Sequence, residues 1–480
     1  MAVSGPLNPS VEDPHSDNEL DLAEVEEIIP EDPGADHPMD EDSDGDDGDN
    51  AMEEDTELEV ANDSKAYFDG HSSSSIFTIS AHPTNPSLFL TGGGDDVAYI
   101  WTSAPSSAED AAVVPRECKV VRKLEAHKDS VAATTFTSPG GEYAVTAGLD
   151  GQLQLFAAAN GWKKVDSAQE VEEIVWLASH PNEPVIAVGT NEGSVWLYDI
   201  DNNAFTIRHV LYSHTASSTA GAFTKSGALL CTVSEDGSFY AWDTSSGQSL
   251  VALTSNDQRF AIEGGLYSVT VSPSGNVAAV GGATGEIRVV GLPGGAAPAA
   301  GGRRTAGRPQ AGGGGSLGGG QAGQIIASIH THSESIESLS FHPSMPLLAS
   351  GSVDGKIGLY DAARGFALRK MLEGHVDAVV KVEFVAGLGP QDGWVLTSCG
   401  IDGTLRRWDA RTGTEVACLR GHLGGNGAEG EGGILGFVQT KERVATAGDD
   451  GVALIFELEG VAATGGVAAP MVGSQSAAAR

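Results

Sequence analysis

The chain has only four cysteines in 480 residues, and Cys118, Cys231, Cys399 and Cys418 show no CxxC spacing. That usage points to neither a disulfide framework nor a zinc site, and it implies a reducing compartment. No stretch approaches the roughly 18 consecutive apolar residues of a membrane helix. The N-terminus has no positive flank followed by an apolar core, so neither a span nor a signal peptide is expected. Bases are scarce as well: 27 Lys and Arg stand against 66 Asp and Glu, a formal net charge of −39. Phosphate backbones are gripped by Lys and Arg. Direct nucleic-acid binding is therefore not expected, and a basic protein client is. Also missing are a Gly-x-Ser-x-Gly elbow and a glycine loop with Lys in phosphate-binding register. Gly92-Gly93-Gly94 and Gly312 to Gly315 read as turn and linker glycines, and no cofactor or metal is implied.

The negative charge is uneven. Residues 1–64 hold 24 of the 66 acids and no Lys or Arg, which leaves 42 acids against 27 bases in the rest. Such a segment cannot bury enough apolar surface to offset its ordering entropy, so 1–64 is expected to be a disordered acidic tail. Leu20 to Ile29 interrupts it with apolar groups among carboxylates, either a chance cluster or a docking segment. Residues 291–324, rich in Gly and Ala with Arg303, Arg304 and Arg308, read as a flexible insertion between the fifth and sixth repeats. Residues 461–480 read as a flexible C-terminal tail.

Between the tails one pattern recurs. Its fullest copy runs from Met371 to Leu419: Gly374-His375, alternating apolar positions through Val379, Val380, Val382 and Phe384, a run from Trp394 to Ser398, then Ile401-Asp402-Gly403 and Leu405 to Asp409. Short alternating runs broken by Asp-Gly turns are strands joined by tight hairpins. Aligning on the turn acid gives Asp95, Asp150, Glu192, Asp236, Asp354, Asp402 and Asp450, with Thr284 in the remaining slot. In six units a Ser or Thr stands four residues before the acid, and each of those six also has an aromatic six residues after it and a His about two dozen before it. The two units with Val188 and Val280 in place of the hydroxyl also lack the His. A small sheet cannot bury both faces alone, so copies must stack on one another. Lys65 to Phe68 lies where an outermost strand belongs, and pairing of Ala66 to Phe68 with the last unit would close a ring and remove its open edge.

These residues resemble the WD-repeat family, whose two signature dipeptides appear in Gly374-His375 and Trp408-Asp409. The resemblance spans residues 65–460 and implies an all-β, eight-bladed WD-repeat propeller. By the same resemblance, His71, Thr91, Asp95 and Trp101 form a structural tetrad, as do His214, Thr232, Asp236, Trp242 and His375, Ser398, Asp402, Trp408. Phe156 and Phe456 replace the indole donor and shorten two further sets. A Ser or Thr, His and Asp set repeated six times is structural, because a hydrolase needs one such set at a cleft.

Function then resides on the ring's surfaces. Loops before the inner strands and the turns after the second strands should share one rim. There Asp129, Glu172, Glu173, Glu235, Glu334, Asp377 and Asp449 would focus a negative field on a basic peptide. The turn Gly93 to Asp96, Ala126 to Val131, Glu172 to Trp176, Met345-Pro346-Leu347 and Trp408 to Gly413 are similar to the angio-associated migratory cell protein family, as is the leader with Glu26 to Ile29. That family includes a fungal chaperone of a basic, late-joining large-subunit ribosomal protein. The resemblance implies a non-enzymatic, monomeric chaperone or adaptor in ribosome biogenesis, in the cytoplasm and also the nucleus. Two alternatives stand beside it: a signalling scaffold in migration or trafficking, and a substrate receptor of a cullin-based ubiquitin ligase. The second rests on Trp408-Asp409-Ala410-Arg411, with Arg411 as the adaptor contact.

Overall fold

Eight tight turns fold a second strand onto a third, and each needs one residue in left-handed backbone. Glycine supplies it seven times, from Gly151 at φ 70° to Gly193 at φ 85°. In the first repeat Asp96 takes the same conformation at φ 62°, which a short polar side chain tolerates. Hence the recurring Asp-Gly.

The computed structural model describes residues 61–458 except 73, 106, 108–112, 126, 295–321, 387–392 and 425–431. The segments 1–60 and 459–480, with the Leu20 to Ile29 cluster, lie outside the described residues. The described chain is an eight-bladed propeller of seven four-stranded antiparallel sheets and one five-stranded sheet. The seventh blade is representative, with strands Val379–Phe384, Val395–Gly400, Leu405–Asp409 and Thr414–Leu419 in meander order. Each inner strand touches those of both neighbours, and Ile76–Ala81 meets Ile434–Gln439 to complete the circle.

Alternating side chains give each blade two apolar faces, and no single core collects them. Instead eight apolar clusters each straddle two adjacent blades. Leu90, Ile100 and Leu124 of the first blade pack on Phe136 and Phe156 of the second. Trp408 of the seventh packs with Leu359 of the sixth, while its Cys399 and Leu405 meet Phe437 and Phe456 of the eighth.

The ring is closed by Ala66–Phe68, antiparallel to Ala453–Glu457, with Ala66 opposite Ile455 and Phe68 opposite Ala453. Phe68 is 2% exposed and lies nearly parallel to Trp101, ring centroids 4.9 Å apart. One side chain thus joins the last sheet to the first tetrad. The ordered contacts begin before Lys65: Asp63 exchanges two hydrogen bonds with Arg420, its N–H donating to the carbonyl and its carboxylate accepting from the Arg420 N–H. Arg116–Glu117 adds a fifth strand, parallel to Ala66–Phe68, from the long connection after Thr102.

One expectation needs correction. The long insertion does not separate the fifth and sixth blades; it joins the third and fourth strands of the fifth, Glu286–Gly291 and Ile325–His330. The turn acid precedes the third strand, so spacing between successive acids cannot tell which later connection has been lengthened. Gly291 and Gln324 pair at the mouth of the insertion.

Arg407 breaks the apolar pattern. Its counterparts in the other blades include Ile100, Leu155, Leu197, Val289, Leu359 and Ile455, all buried. Arg407 is 3% exposed, its Nε and Nη2 lack partners among the described residues, and burial pushes its guanidinium down to about 10.

Two outcomes follow. Phe68→Ala should cost about 3–5 kcal/mol of stability and lower the thermal midpoint, whereas Phe77→Ala, at a 43% exposed position, should leave it nearly unchanged. Arg407→Met should raise the midpoint, because removing an unpartnered buried donor set recovers roughly 1–3 kcal/mol. A fall would show that the guanidinium is held by something other than these neighbours.

Candidate functional site: the acidic rim

One hydrogen bond recurs in all eight blades and builds the upper rim. The residue before the turn acid donates its N–H to the carbonyl just ahead of an inner strand: Gly94 to Ser75, Leu149 to Ser130, Asn191 to Glu173 and Glu235 to Ser217. The set continues with Ala283 to Gly265, Val353 to Ser335, Ile401 to Ala378 and Asp449 to Gly433. Entry loops and turns are therefore locked together on one edge, as the sequence implied.

Beneath that edge the tetrads hold the loops. In the first blade His71 Nδ1 lies 2.9 Å from Asp95, its Nε2 lies 2.9 Å from Thr91 Oγ1, and the Trp101 indole donates to Thr91 at 3.2 Å. The seventh blade repeats this with His375, Asp402 at 3.0 Å, Ser398 at 2.8 Å and the Trp408 indole at 2.8 Å. The fourth blade departs from the expected set. Ser238 stands between His214 and Asp236, with its Oγ 2.7 Å from His214 Nδ1, and Asp236 is 3.9 Å away. Asp236 instead accepts from the Thr215 N–H and hydroxyl. A serine two residues after the acid reaches the imidazole first. In the two blades lacking His, other groups fill the slot. Thr190, Ser194 and Trp196 chain together in the third, whereas in the fifth the apolar Ile262 packs on Gly282, the counterpart of the glycines that meet His71, His127, His375 and His422.

Every tetrad hydroxyl, from Thr91 to Thr446, is fully buried. No substrate can reach these oxygens. Among the described residues no group of three or more His, Cys, Asp or Glu suits a metal ion. No described helix is long and apolar enough to cross a membrane.

The seven rim acids lie where the recurring hydrogen bond puts them. Asp129, Glu334 and Asp377 sit beside the accepting carbonyls of Ser130, Ser335 and Ala378; Glu173 supplies one itself, next to Glu172; Glu235 and Asp449 carry donating N–H groups. All are exposed except the half-buried Asp449. None pairs with a Lys or Arg among the described residues, whereas ion pairs such as Arg208 with Asp199 and Arg406 with Glu415 form elsewhere. The edge also carries exposed Lys128 and Lys356, the latter 4.0 Å from Glu373.

Sequence reasoning missed that the rim is amphipathic. Leu149 and Val353 occupy the same position as Glu235 and Asp449, Val376 and Leu423 follow the loop histidines, and Phe77 opens an inner strand; all five are exposed. The signal was the column before the turn acid, which mixes carboxylate and apolar residues. Arg411 does not reach outward to a partner: its Nη2 lies 3.1 Å from Asp409 within its own turn.

Burial also pushes His214 down to about 4, opposed in part by the Asp236 charge, and His127 and His332 shift the same way for the same reason. Burial favours a neutral Asp402, but hydrogen bonds from His375 and Thr404 outweigh it and hold the carboxyl at about 2. A histidine whose folded value lies below its ordinary 6.5 binds protons more readily when unfolded, so stability should fall as pH drops from about 6.5 towards 4. Asp402 adds a further loss below about pH 4. Thermal melts from pH 8 to 4 should show a midpoint steady above about pH 7 and declining below it, with His214 contributing on the order of 3 kcal/mol. A midpoint unchanged between pH 7.5 and 5 would contradict this account.

The comparisons agree with this geometry. The WD domain, G-beta repeat model matches residues 62–102, 118–156, 205–243, 323–361 and 366–409. The ribosome assembly protein Sqt1 of Saccharomyces cerevisiae is 31% identical over 451 residues, covering 88% of this chain and 93% of that protein. The human angio-associated migratory cell protein is 27% identical over 400 residues, 82% of this chain and 80% of that one. Among solved structures, Chaetomium thermophilum Sqt1 bound to the N-terminus of the ribosomal protein L10 is 41% identical with a TM-score of 0.70, covering 83% of this chain and all of that one. With a closed propeller, a loop-locked rim and these likenesses together, the chain belongs to the family of WD-repeat propellers that includes Sqt1 and the angio-associated migratory cell protein.

Proposed function

We propose that this protein is a non-enzymatic, monomeric chaperone for a basic ribosomal protein of the large subunit, holding the client's cationic N-terminal segment on the upper rim until assembly. The observation that carries the reading is the set of seven rim carboxylates without basic partners among the described residues, on the edge that the eightfold hydrogen bond makes rigid. Support comes from the Sqt1 relative solved with the N-terminus of ribosomal protein L10. The protein works in the cytoplasm, where the client must be shielded, with the nucleus as a second compartment.

The physics is that of a preorganised counter-charge. A nascent basic protein attracts RNA and other polyanions, and a facing row of carboxylates competes for the same cations through directional contacts. Clustered like charges on a fixed edge repel one another, so binding a polycation relieves a strain already present. The apolar residues Leu149, Val353, Val376 and Leu423 offer contact for non-polar side chains between the client's basic ones. This lets the site distinguish its client from any arginine-rich segment. Residues 65–480 have a surplus of acid, which disfavours direct competition for rRNA.

Glu235→Lys combined with Asp377→Lys should weaken binding of a synthetic N-terminal peptide of ribosomal protein L10 by about tenfold or more, roughly 1.4 kcal/mol. The salt dependence of binding should flatten at the same time. Titration calorimetry at two ionic strengths reads both, and wild-type affinity with an unchanged salt slope would remove the rim from the mechanism.

A further inference from the structure

The lower edge, opposite the rim, carries a feature of the other sign. At the junction of the eighth and first blades a recess of about 350 Å³ is lined by Lys65, Arg116 and Arg443 with Ser87 and Ser103. These groups come from the closing strand's leader, the long connection of the first blade, and the eighth blade, so the recess exists only in the closed ring. Both guanidiniums converge on one residue. Arg443 Nη1 is 3.4 Å from Ser103 Oγ and 3.4 Å from Ser87 Oγ, and Arg116 Nη2 donates to the Ser103 carbonyl. The backbone is pinned as well, since the Lys65 N–H donates to Ile455 at 2.8 Å and its carbonyl accepts from Arg116 at 3.1 Å.

None of the three cations forms an ion pair among the described residues. Among the described residues Glu457 is the one carboxylate lining the recess, and no described cation lies within ion-pair reach of it. In a chain with 66 acids and 27 bases, three cations held together with no ion pair among the described residues are an arrangement that the surrounding composition does not produce by default. Mutual repulsion makes such a cluster costly until an anion enters.

We infer that this recess is a binding site for a phosphorylated side chain of a partner protein. Three cations against one carboxylate leave a charge of about +2, which matches the −1.5 to −2 of a phosphoryl group. Two guanidinium forks and two serine hydroxyls supply the directed donors that a tetrahedral dianion takes up. A single recess of about 350 Å³ fits one such group. A nucleic acid would bring many further phosphates to a chain whose formal net charge is −39, so a phosphopeptide is favoured over RNA. The recess and the rim lie on opposite edges, and failure of one reading leaves the other standing.

The test is a 31P NMR titration of the full chain with a dodecapeptide of Gly, Ala and Ser bearing one phosphoserine, with hexauridylate as a second probe. The phosphoserine resonance should shift saturably with wild type. Arg443→Gln and, separately, the exposed Lys65→Gln should each weaken binding at least fivefold and the pair at least twentyfold, while binding of the L10 peptide at the rim is retained. Arg364→Gln, on an exposed turn elsewhere, should change nothing. Lys65→Gln keeps the test valid if Arg443→Gln unfolds the ring. Absence of saturable binding, equal binding by Lys65→Gln and wild type, or tighter variant-sensitive binding of hexauridylate would each overturn the proposal.

Discussion

Burial of each blade's faces against its two neighbours is the constraint on which everything else depends. A four-stranded sheet of this size has no interior of its own, so its apolar side chains are satisfied only in the eight clusters between blades. An array with such nearest-neighbour energetics has two costly ends unless it closes. Three residues, Ala66–Phe68, close it. The pairing is short, but it removes both ends at once, and Phe68 between the last sheet and Trp101 gives it a side-chain anchor. The fifth strand and the lower recess also form at this seam.

Acidic residues do two unlike jobs in the ring. Those at the turns point inward, accept from histidine in every tetrad but the fourth blade's, and hold the upper loops in place. Asp402 illustrates the type, since its hydrogen bonds overcome its burial. Those one or two residues away are exposed or half-buried and have no basic partner among the described residues. The first group makes the edge rigid, and rigidity gives the second group value, because carboxylates on a mobile edge would scatter to reduce their repulsion. A serine in one tetrad and a tyrosine hydroxyl at Ser350 in another show that the polar partners within a tetrad can be exchanged.

The two edges of the propeller are thereby electrostatically distinct. Acid collects on the upper rim, where each blade contributes a loop and a turn, and unpartnered base collects at one lower position where only the seam brings it together. Opposite charges gathered on one edge would neutralise each other, and the fold keeps them apart.

Much of the fold was legible because a propeller is repetitive. The eight turns, the six histidines and the closing strand all follow from aligned columns, and the rim acids fall on one edge because every blade enters and turns there. Sequence by itself determined the blade count, the tetrad partners in most blades and the sign of the rim, since these depend on contacts at fixed, short separations. Tertiary structure decided the rest. Only it showed that Ser238 displaces Asp236 from His214, because two side chains competing for one imidazole are settled by fractions of an ångström. Only it placed the long insertion inside the fifth blade, because spacing between turn acids is blind to which connection has grown. And only ring closure brings Lys65, Arg116 and Arg443 together, because residues hundreds of positions apart in a chain share no local signal until the last sheet meets the first.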